Sequence, residues 1–318
     1  MSIINKILVT GGSGLIGKSL KNKENNFDYI SSKDVDLTNT IQTNQVLGIY
    51  KPNIIIHLAG KVGGIKDNSE NPYDFIQINN MINTNVIDYC VKRKIKIIFA
   101  SSTCVYPKNS ISYPMTEDMV DSGEPESTND AYAYAKRFAG QMLRSANKQY
   151  GLEYCTLYFC NLYGENDDFT NTKKSHLVTS LIQKFHEAKI NNINKVVLWG
   201  TGTPMRQFMH SDDAANLIQM VSSGDILGEY NAAISDNISV YQIAKIVKDV
   251  VGYTGSIEFN KTLDGVYRKD VCSDKLMTKI GCYDLDTCGV YNFIKLQDGV
   301  FRTYKKYMEN NNVEINAR

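Results

Sequence analysis

The sequence predicts an α/β fold, in which a doubly wound parallel sheet is covered by helices on both faces. Three short aliphatic runs, "KILVTG", "NIIIHLAG" and "KIIFASS", are typical of buried strands because each is β-branched and ends in small or polar residues. Helical segments such as "FIQINNMINTNVIDYCVKR" lie between these runs. Repeated alternation of strand and helix indicates a parallel sheet.

The second half of the chain is less regular. "EYCTLYFCNLYG" indicates a later strand, and residues from about 165 to 210 are rich in predicted loops. A clear helix begins after Ser239, where Gln242 completes a capping box, and it ends at Gly252. We therefore expect a nucleotide-binding domain from residues 1–164 and about 207–238. Residues from about 165–206 and 239–318 should form a smaller C-terminal α/β substrate-binding domain.

Composition excludes several classes of partner. The chain has 35 Lys and Arg residues against 34 Asp and Glu residues, so nothing favours nucleic acid or an anionic membrane. No apolar run approaches the roughly 18 residues that cross a bilayer. "MSIINKILVTGG" leads straight into a strand, without room for a cleavable signal, and we expect a cytoplasmic location. The seven cysteines show no metal-ligand spacing, so we expect reduced thiols and no metal.

A glycine loop joins the first strand to the first helix. "ILVTGGSGLIGKSL" places Gly11, Gly14 and Gly17 at this junction, where glycine permits a sharp turn and close approach to a pyrophosphate. Leu15 and Ile16 begin the helix, whose first N–H groups favour phosphate oxygens. The alternative is an ordinary turn between strand and helix, but position and sheet pattern favour a Rossmann-like dinucleotide site.

The end of the second strand bears on the choice of dinucleotide. In "DYISSKDVDL", Ser32 and Lys33 stand where an NAD site usually has an acidic residue that binds the ribose 2′-hydroxyl. They would accept a 2′-phosphate, so the balance favours NADP(H), although Asp34 opposes it. We expect Asp36 at the adenine amino group and Leu37 beside the ring. We also expect cofactor contacts from Leu58 and Ala59, and from Tyr132 and Lys136.

Tyr132 and Lys136 lie four residues apart in "NDAYAYAKRFAGQML" and so share one face of a helix. A neighbouring ammonium group favours phenolate, which makes the tyrosine a usable acid–base group. A chance pair of surface residues is the alternative. Ser101 and Ser102 both stand at the end of a predicted strand, and either could complete a Ser-Tyr-Lys set. The resemblance described next implies Ser102.

These motifs resemble the extended short-chain dehydrogenase/reductase superfamily and, within it, the GDP-L-fucose synthases. The resemblance rests on "TGGSGLIG", "HLAGKVGGI", "SSTCVYPK", "YAYAKR", "NLYGENDDF", "SHLVTSLIQKFHEA" and "LWGTGTPMRQFMHSDDAA". It implies conversion of GDP-4-keto-6-deoxy-D-mannose to GDP-L-fucose by epimerisation at C3 and C5 and NADPH-dependent reduction at C4. It also implies a homodimer built from the helices that contain "NNMINTNVIDYC" and "AYAYAKRFAGQML".

A thiol, Cys104, stands two residues after Ser102. Sugar dehydratases that resemble this segment carry Asp-Glu in place of Thr103-Cys104, which disfavours dehydration. Epimerisation beside a ketone needs two acid–base groups on opposite faces of the sugar. The family's catalytic histidine matches His176, despite one extra residue in the loop before it, and which of the two groups is the base stays open. By itself, Cys104 could equally be a small buried hydrophobic residue.

Five further residues are expected to bind the nucleotide sugar. Arg206 and Lys184 match family positions that hold the substrate, and many relatives have arginine at the second. The others are Asn161, Trp199 and Lys269. Two alternatives stay open: a related 4-keto-sugar reductase or epimerase-reductase acting on a UDP- or dTDP-6-deoxyhexose or a GDP-heptose, and a noncatalytic NADP-binding sensor. An intact Ser-Tyr-Lys set argues against the sensor.

Overall fold

The computed structural model describes residues 6–23, 26–170, 176–261, 264–281 and 292–311. Within these ranges the strands are β1 (Ile7–Thr10), β2 (Asp28–Ile30), β3 (Ile54–His57), β4 (Lys96–Ser102), β5 (Tyr154–Phe159), β6 (Asn161–Tyr163), β7 (Lys195–Leu198), β8 (Met205–His210), β9 (Gly228–Ala232), β10 (Asn237–Ser239) and β11 (Ser256–Phe259). The helices are α1 (Leu15–Lys21), α2 (Thr40–Tyr50), α3 (Ile65–Glu70), α4 (Pro72–Arg93), α5 (Asp130–Tyr150), α6 (Leu177–Ile190), α7 (Ser211–Ser223), α8 (Val240–Val251), α9 (Asp274–Lys279) and α10 (Leu296–Asn310).

The central sheet has six parallel strands in the order β2-β1-β3-β4-β5-β9. From β1 the sheet grows in both directions, so a crevice opens at the carboxyl ends of β1 and β3. Every residue of β3 is buried, as expected for a strand covered on both faces. The predicted α/β class with a doubly wound parallel sheet is confirmed.

Helices cover both faces of this sheet. Leu20 of α1 and Leu217 of α7 belong to the hydrophobic core on one face. Leu47 of α2, Val86 of α4 and Leu143 of α5 belong to the core on the other face. Since both faces are buried, the open edge at the strand ends is where polar groups can meet a ligand.

A third hydrophobic cluster lies among the later elements. β10, β8 and β6 form a three-stranded sheet, and β11 pairs with β7. Phe185 of α6, Val247 of α8 and Val300 of α10 are buried together beside them. None of the helices in the described ranges is both long and apolar enough to cross a membrane.

Local signals predicted one of these helices well and another poorly. The capping box of Ser239 and Gln242 is present at the start of α8, and Gly252 ends it with φ +70°. By contrast, the predicted loop-rich stretch from about 165 to 210 contains α6, β7 and β8. Leu181 and Phe185 lie four residues apart and bury one face of α6, a periodicity masked by the polar segment before it.

The cysteines divide into two environments. Cys90, Cys155 and Cys160 are buried free thiols that pack as small hydrophobic residues. Cys104 and Cys272 are half-buried. Two further cysteines lie outside the described residues: Cys282 and Cys288.

Candidate active site

The glycine loop after β1 is tightly packed against its neighbours. Gly11 has φ +75°, and a Cβ atom there would lie 2.7 Å from the backbone nitrogen of Ala59. Gly14 is the N-cap of α1 and donates its N–H group to the carbonyl oxygen of Gly11 at 3.0 Å. A Cβ atom on Gly17 would collide with that same carbonyl group. The cradle therefore requires glycine, which fits a pyrophosphate at the half-buried start of α1, formed by Leu15 and Ile16.

The carboxylate that opposed an NADP site is turned back on its own loop. Asp34 Oδ2 accepts hydrogen bonds from the N–H group of Ser31 at 2.7 Å and from its hydroxyl at 2.8 Å. These hydrogen bonds lower the pKa of Asp34. Ser32 and Lys33 stay exposed at the end of β2.

The remaining predicted cofactor residues line the same edge of the sheet. Asp36 is exposed, and its Oδ1 accepts hydrogen bonds from the N–H group and hydroxyl of Thr38, which lower its pKa. Leu37 is buried in the hydrophobic core. Leu58 and Ala59 are half-buried directly after β3, and both pack against the glycine loop.

Strand β4 and helix α5 bring the predicted Ser-Tyr-Lys residues to one place. Ser102 ends β4, and Lys136 donates from Nζ to the carbonyl oxygen of Ala100, on that same strand, at 2.9 Å. This Nζ atom lies 5.8 Å from the ring centroid of Tyr132. Burial lowers the pKa of Lys136 to about 8. Burial, together with the electrostatic interaction with Cys104, raises the pKa of Tyr132, so burial outweighs the effect of the neighbouring ammonium that the sequence predicts.

The thiol of Cys104 has polar surroundings. It lies in a 3₁₀ turn directly after β4, and its N–H group donates to Ser102 Oγ at 3.2 Å. Asn129 donates from Nδ2 to Cys104 Sγ at 3.1 Å. Burial lowers the pKa of Arg206, and the electrostatic interaction of its guanidinium with Cys104 opposes that shift. This environment differs from that of Cys90, Cys155 and Cys160, which are buried in the hydrophobic core.

A carboxylate supports the imidazole of His176. His176 is the N-cap of α6, and its Nδ1 atom lies 3.0 Å from Oδ1 of Asp167, whose side chain is 5% exposed. Thr179 also donates its hydroxyl to Asp167. Burial alone would lower the pKa of His176, but the hydrogen bond and charge of Asp167 outweigh burial and raise it. Burial would likewise raise the pKa of Asp167, but its hydrogen bonds lower it.

The other three histidines have partners within the fold. His57 is fully buried between Thr10 and Asn83, and burial lowers its pKa to about 3. His186 pairs with Tyr304 at 3.1 Å. His210 is buried and caps α7 by accepting the N–H group of Asp212 at 3.1 Å.

The predicted substrate residues fall into two groups. Lys184 and Trp199 form an exposed pair, with Nζ 5.8 Å from the ring centroid. Arg206 interacts with Cys104. Arg268 forms a backbone β-bridge with Met205, so Lys269 and Arg206, the residues that follow them, lie on neighbouring segments. Asn161 is exposed at the start of β6 and donates from Nδ2 to the carbonyl oxygen of Gln207 at 2.9 Å.

Sequence reasoning missed two polar residues of this region. Asn129 precedes α5 and resembles an ordinary helix cap in sequence. Asp167 belongs to "NLYGENDDF", where one acidic residue cannot be told from its neighbours. The nearest available signal for each was proximity along the chain to a predicted catalytic residue, Tyr132 and His176 respectively.

Comparisons with known proteins agree with this architecture. Residues 7–233 match the model of the NAD dependent epimerase/dehydratase family. GDP-L-fucose synthase 1 of Arabidopsis thaliana is 34% identical over 313 residues, covering 96% of this chain and 94% of that protein.

Two solved structures extend the comparison. A GDP-L-fucose synthetase from Naegleria fowleri bound to NADP has a TM-score of 0.85 at 29% identity, covering 98% of this chain and 95% of that one. A GDP-6-OMe-4-keto-L-xylo-heptose reductase from C. jejuni has a TM-score of 0.86 at 25% identity, covering 98% and 99%. The chain belongs to the NAD dependent epimerase/dehydratase family and, within it, to the group of the GDP-L-fucose synthases.

Proposed function

We propose that this protein converts GDP-4-keto-6-deoxy-D-mannose to GDP-L-fucose, by epimerisation at C3 and C5 followed by NADPH-dependent reduction at C4. The observation that carries the proposal is that Cys104 and His176, two acid–base groups outside the Ser-Tyr-Lys set, each have a polar partner in the structure. Cys104 has an amide donor on its sulfur, and His176 has a carboxylate on its imidazole. Reduction of a ketone alone would need neither group.

Epimerisation begins at a carbon next to the C4 ketone. Cys104, as thiolate, takes a proton from this carbon, and the C–H electron pair moves into an enolate whose charge rests on O4. Hydroxyl groups of Ser102 and Tyr132 donate hydrogen bonds to O4. His176, as imidazolium, then gives a proton to the opposite face, which inverts the carbon.

The carboxylate beside His176 supports this division of roles. Asp167 raises the pKa of His176, so the imidazole is charged over a wider pH range and suits the role of acid. Cys104 is then the base. Before the second carbon reacts, the thiol returns its proton to solvent and the imidazole takes one up.

Reduction uses the other set of residues. NADPH, when bound, supplies the hydride to C4. Tyr132 donates a proton to O4, and the ammonium of Lys136 stabilises the phenolate that remains. Because burial lowers the pKa of Lys136 only to about 8, this group is mostly protonated at neutral pH.

The cofactor site is proposed on the glycine cradle and the end of β2. Gly11, Gly14 and Gly17 leave room for a pyrophosphate, and Ser32 and Lys33 are exposed where a 2′-phosphate would lie. Asp36, Leu37, Leu58 and Ala59 would contact the adenosine half, and Lys136 the nicotinamide ribose. The Naegleria fowleri relative bound to NADP supports the choice of cofactor.

The substrate is proposed to lie between the Ser-Tyr-Lys set and the third hydrophobic cluster. Arg206 and Lys269 would meet the diphosphate, and Lys184 with Trp199 would meet the nucleotide base, while Asn161 would position the sugar. We keep the division into residues 1–164 with about 207–238, and about 165–206 with 239–318. The separate core of the later elements supports this division, although that core also includes Tyr163 and Phe208 from the first part.

A homodimer is also part of the proposal. Met81 on α4 and Tyr134 and Phe138 on α5 are 42%, 41% and 47% exposed. Helices α4 and α5 pack side by side on the same face of the sheet. Burial of these apolar side chains against a second copy would form a four-helix interface.

The deciding experiment is incubation with GDP-4-keto-6-deoxy-D-mannose and NADPH in D₂O, with NMR of the product. We expect GDP-L-fucose that carries deuterium at C3 and C5. The C. jejuni neighbour makes a reductase of a GDP-4-keto-heptose the second candidate. Reduction of such a heptose, with no deuterium incorporation into either sugar, would favour it over our proposal.

A further inference from the structure

Asn129 occupies the N-cap position of α5 but does not cap that helix. Asparagine usually stabilises this position because its side-chain oxygen accepts an N–H group of the first turn. Within the described residues the Asn129 side chain accepts no such bond, and Nδ2 donates to Cys104 Sγ at 3.1 Å instead. Its Oδ1 atom is buried without a hydrogen-bond partner in the described ranges. Helix stability therefore does not explain this orientation.

Polar and charged groups surround the sulfur. The amide donates a hydrogen bond, and such bonds are stronger to a charged acceptor than to a neutral thiol. The N-terminus of the 21-residue helix α5 contributes a positive partial charge. Two titratable groups interact electrostatically with Cys104, Tyr132 from α5 and Arg206 from β8. Glu126, in the loop before α5, interacts in turn with Arg206.

We propose that Asn129 is a positioning residue for Cys104, whose amide N–H group holds the sulfur as a thiolate, directed at the carbon that loses its proton. The inference rests on the proposed function for the role of Cys104. It adds a residue that acts through the sulfur and takes no part in hydride transfer. Removing the amide should therefore change the protonation of the thiol more than it changes the stability of α5.

Alkylation of Cys104 tests this contact without any sugar. Iodoacetamide forms a bond between sulfur and carbon as iodide leaves, and only the thiolate reacts. The alkylation rate across a pH series therefore reports the fraction of Cys104 that is ionised. For Asn129→Ala we expect a higher pH midpoint, with alkylation at neutral pH slowed about tenfold. Asn129→Asp keeps the shape but places a carboxylate beside the sulfur, so its midpoint should rise further.

Matched variants separate positioning from folding. Asn129→Ser keeps a good N-cap residue with a shorter side chain, so the protein should fold while the midpoint rises as in Asn129→Ala. Asn147→Ala, near the other end of α5, removes an amide that donates to Leu152 O at 2.9 Å and should leave the midpoint unchanged. An unshifted midpoint in both Asn129→Ala and Asn129→Asp would overturn the inference, whatever their melting temperatures.

Deuterium exchange gives a second readout. If the proposed function is right, deuterium exchange at C3 and C5 should slow about tenfold in Asn129→Ala. The pH profile of exchange should shift by the same amount as the pH midpoint of alkylation. No exchange in the unmodified protein, combined with a shifted alkylation midpoint, would remove the proposed function and keep the contact between Asn129 and Cys104. An unshifted midpoint beside normal exchange would do the reverse.

Discussion

The imidazole of His176 lies 3.0 Å, Nδ1 to Oδ1, from the carboxylate of Asp167. Asp167 is almost completely buried, and it is held in turn by Thr179. A buried carboxylate fixes both the orientation and the charge of an imidazole, because it favours the protonated ring. This pair turns a histidine that the sequence placed in a polar loop into a group suited to give a proton to carbon.

Replacing Asp167 with asparagine should impair epimerisation. The carboxylate of Asp167 raises the pKa of His176, so replacing it should lower that pKa. As the pH rises, the activity that needs imidazolium should therefore be lost at a lower pH than in the unmodified protein. We expect deuterium exchange at C3 and C5 to fall at least about tenfold at neutral pH. NMR across a pH series measures this. Asp168→Asn, in the same loop, is the control, and an unchanged pH profile in Asp167→Asn would exclude the supporting role.

The two acid–base sets should separate by mutation. Cys104→Ser replaces the thiol with a far weaker acid, so proton removal from carbon should collapse while hydride transfer to the unepimerised ketone survives in part. Tyr132→Phe should nearly abolish reduction and retain some deuterium exchange. Product configuration by NMR and NADPH oxidation by absorbance measure the two activities. Epimerisation by Cys104→Ser at the unmodified rate would identify Cys104 as a packing residue.

NADPH should bind at least tenfold more tightly than NADH, which corresponds to about 1.4 kcal/mol. The reason is that Ser32 and Lys33 are exposed at the end of β2, while Asp34 is bonded to Ser31. Lys33→Ala should reduce the preference for NADPH over NADH. Lys51→Ala, which removes the lysine at the C-terminal end of α2, is the control and should leave the preference unchanged. Calorimetric titration of each dinucleotide gives the affinities. Equal affinities for the unmodified protein would contradict the assignment of the 2′-phosphate site.

A dimer should be present at micromolar concentration. Phe138→Glu places a charge beside Tyr134 on the exposed apolar face of α5, and should give a monomer. Ile49→Glu, on α2, makes the same kind of change at a residue that is 75% exposed and should leave the dimer intact. Sedimentation velocity distinguishes the two species. A monomeric unmodified protein would rule out the proposed four-helix interface.

Local features of the sequence were enough to predict the class of fold and the position of the cradle. Both faces of a parallel sheet are covered, so its strands need apolar side chains at consecutive positions. Such a run can be recognised directly in the sequence. Gly11 is required by a positive φ and by the backbone of Ala59, and the turn that imposes both directly follows a strand. The cap and end of α8 likewise depend on residues within one helix.

The sequence by itself determined which reactive groups are present, including Cys104, Tyr132, Lys136 and His176. Only the tertiary structure decided which neighbours act on them. Asn129 turns from the end of its own helix to a sulfur 25 residues away, and Asp167 meets His176 across a loop. Such contacts depend on how separate segments of the chain pack together. The energy of a hydrogen bond or of a charge interaction depends on distance and burial, and neither quantity can be read from the linear sequence.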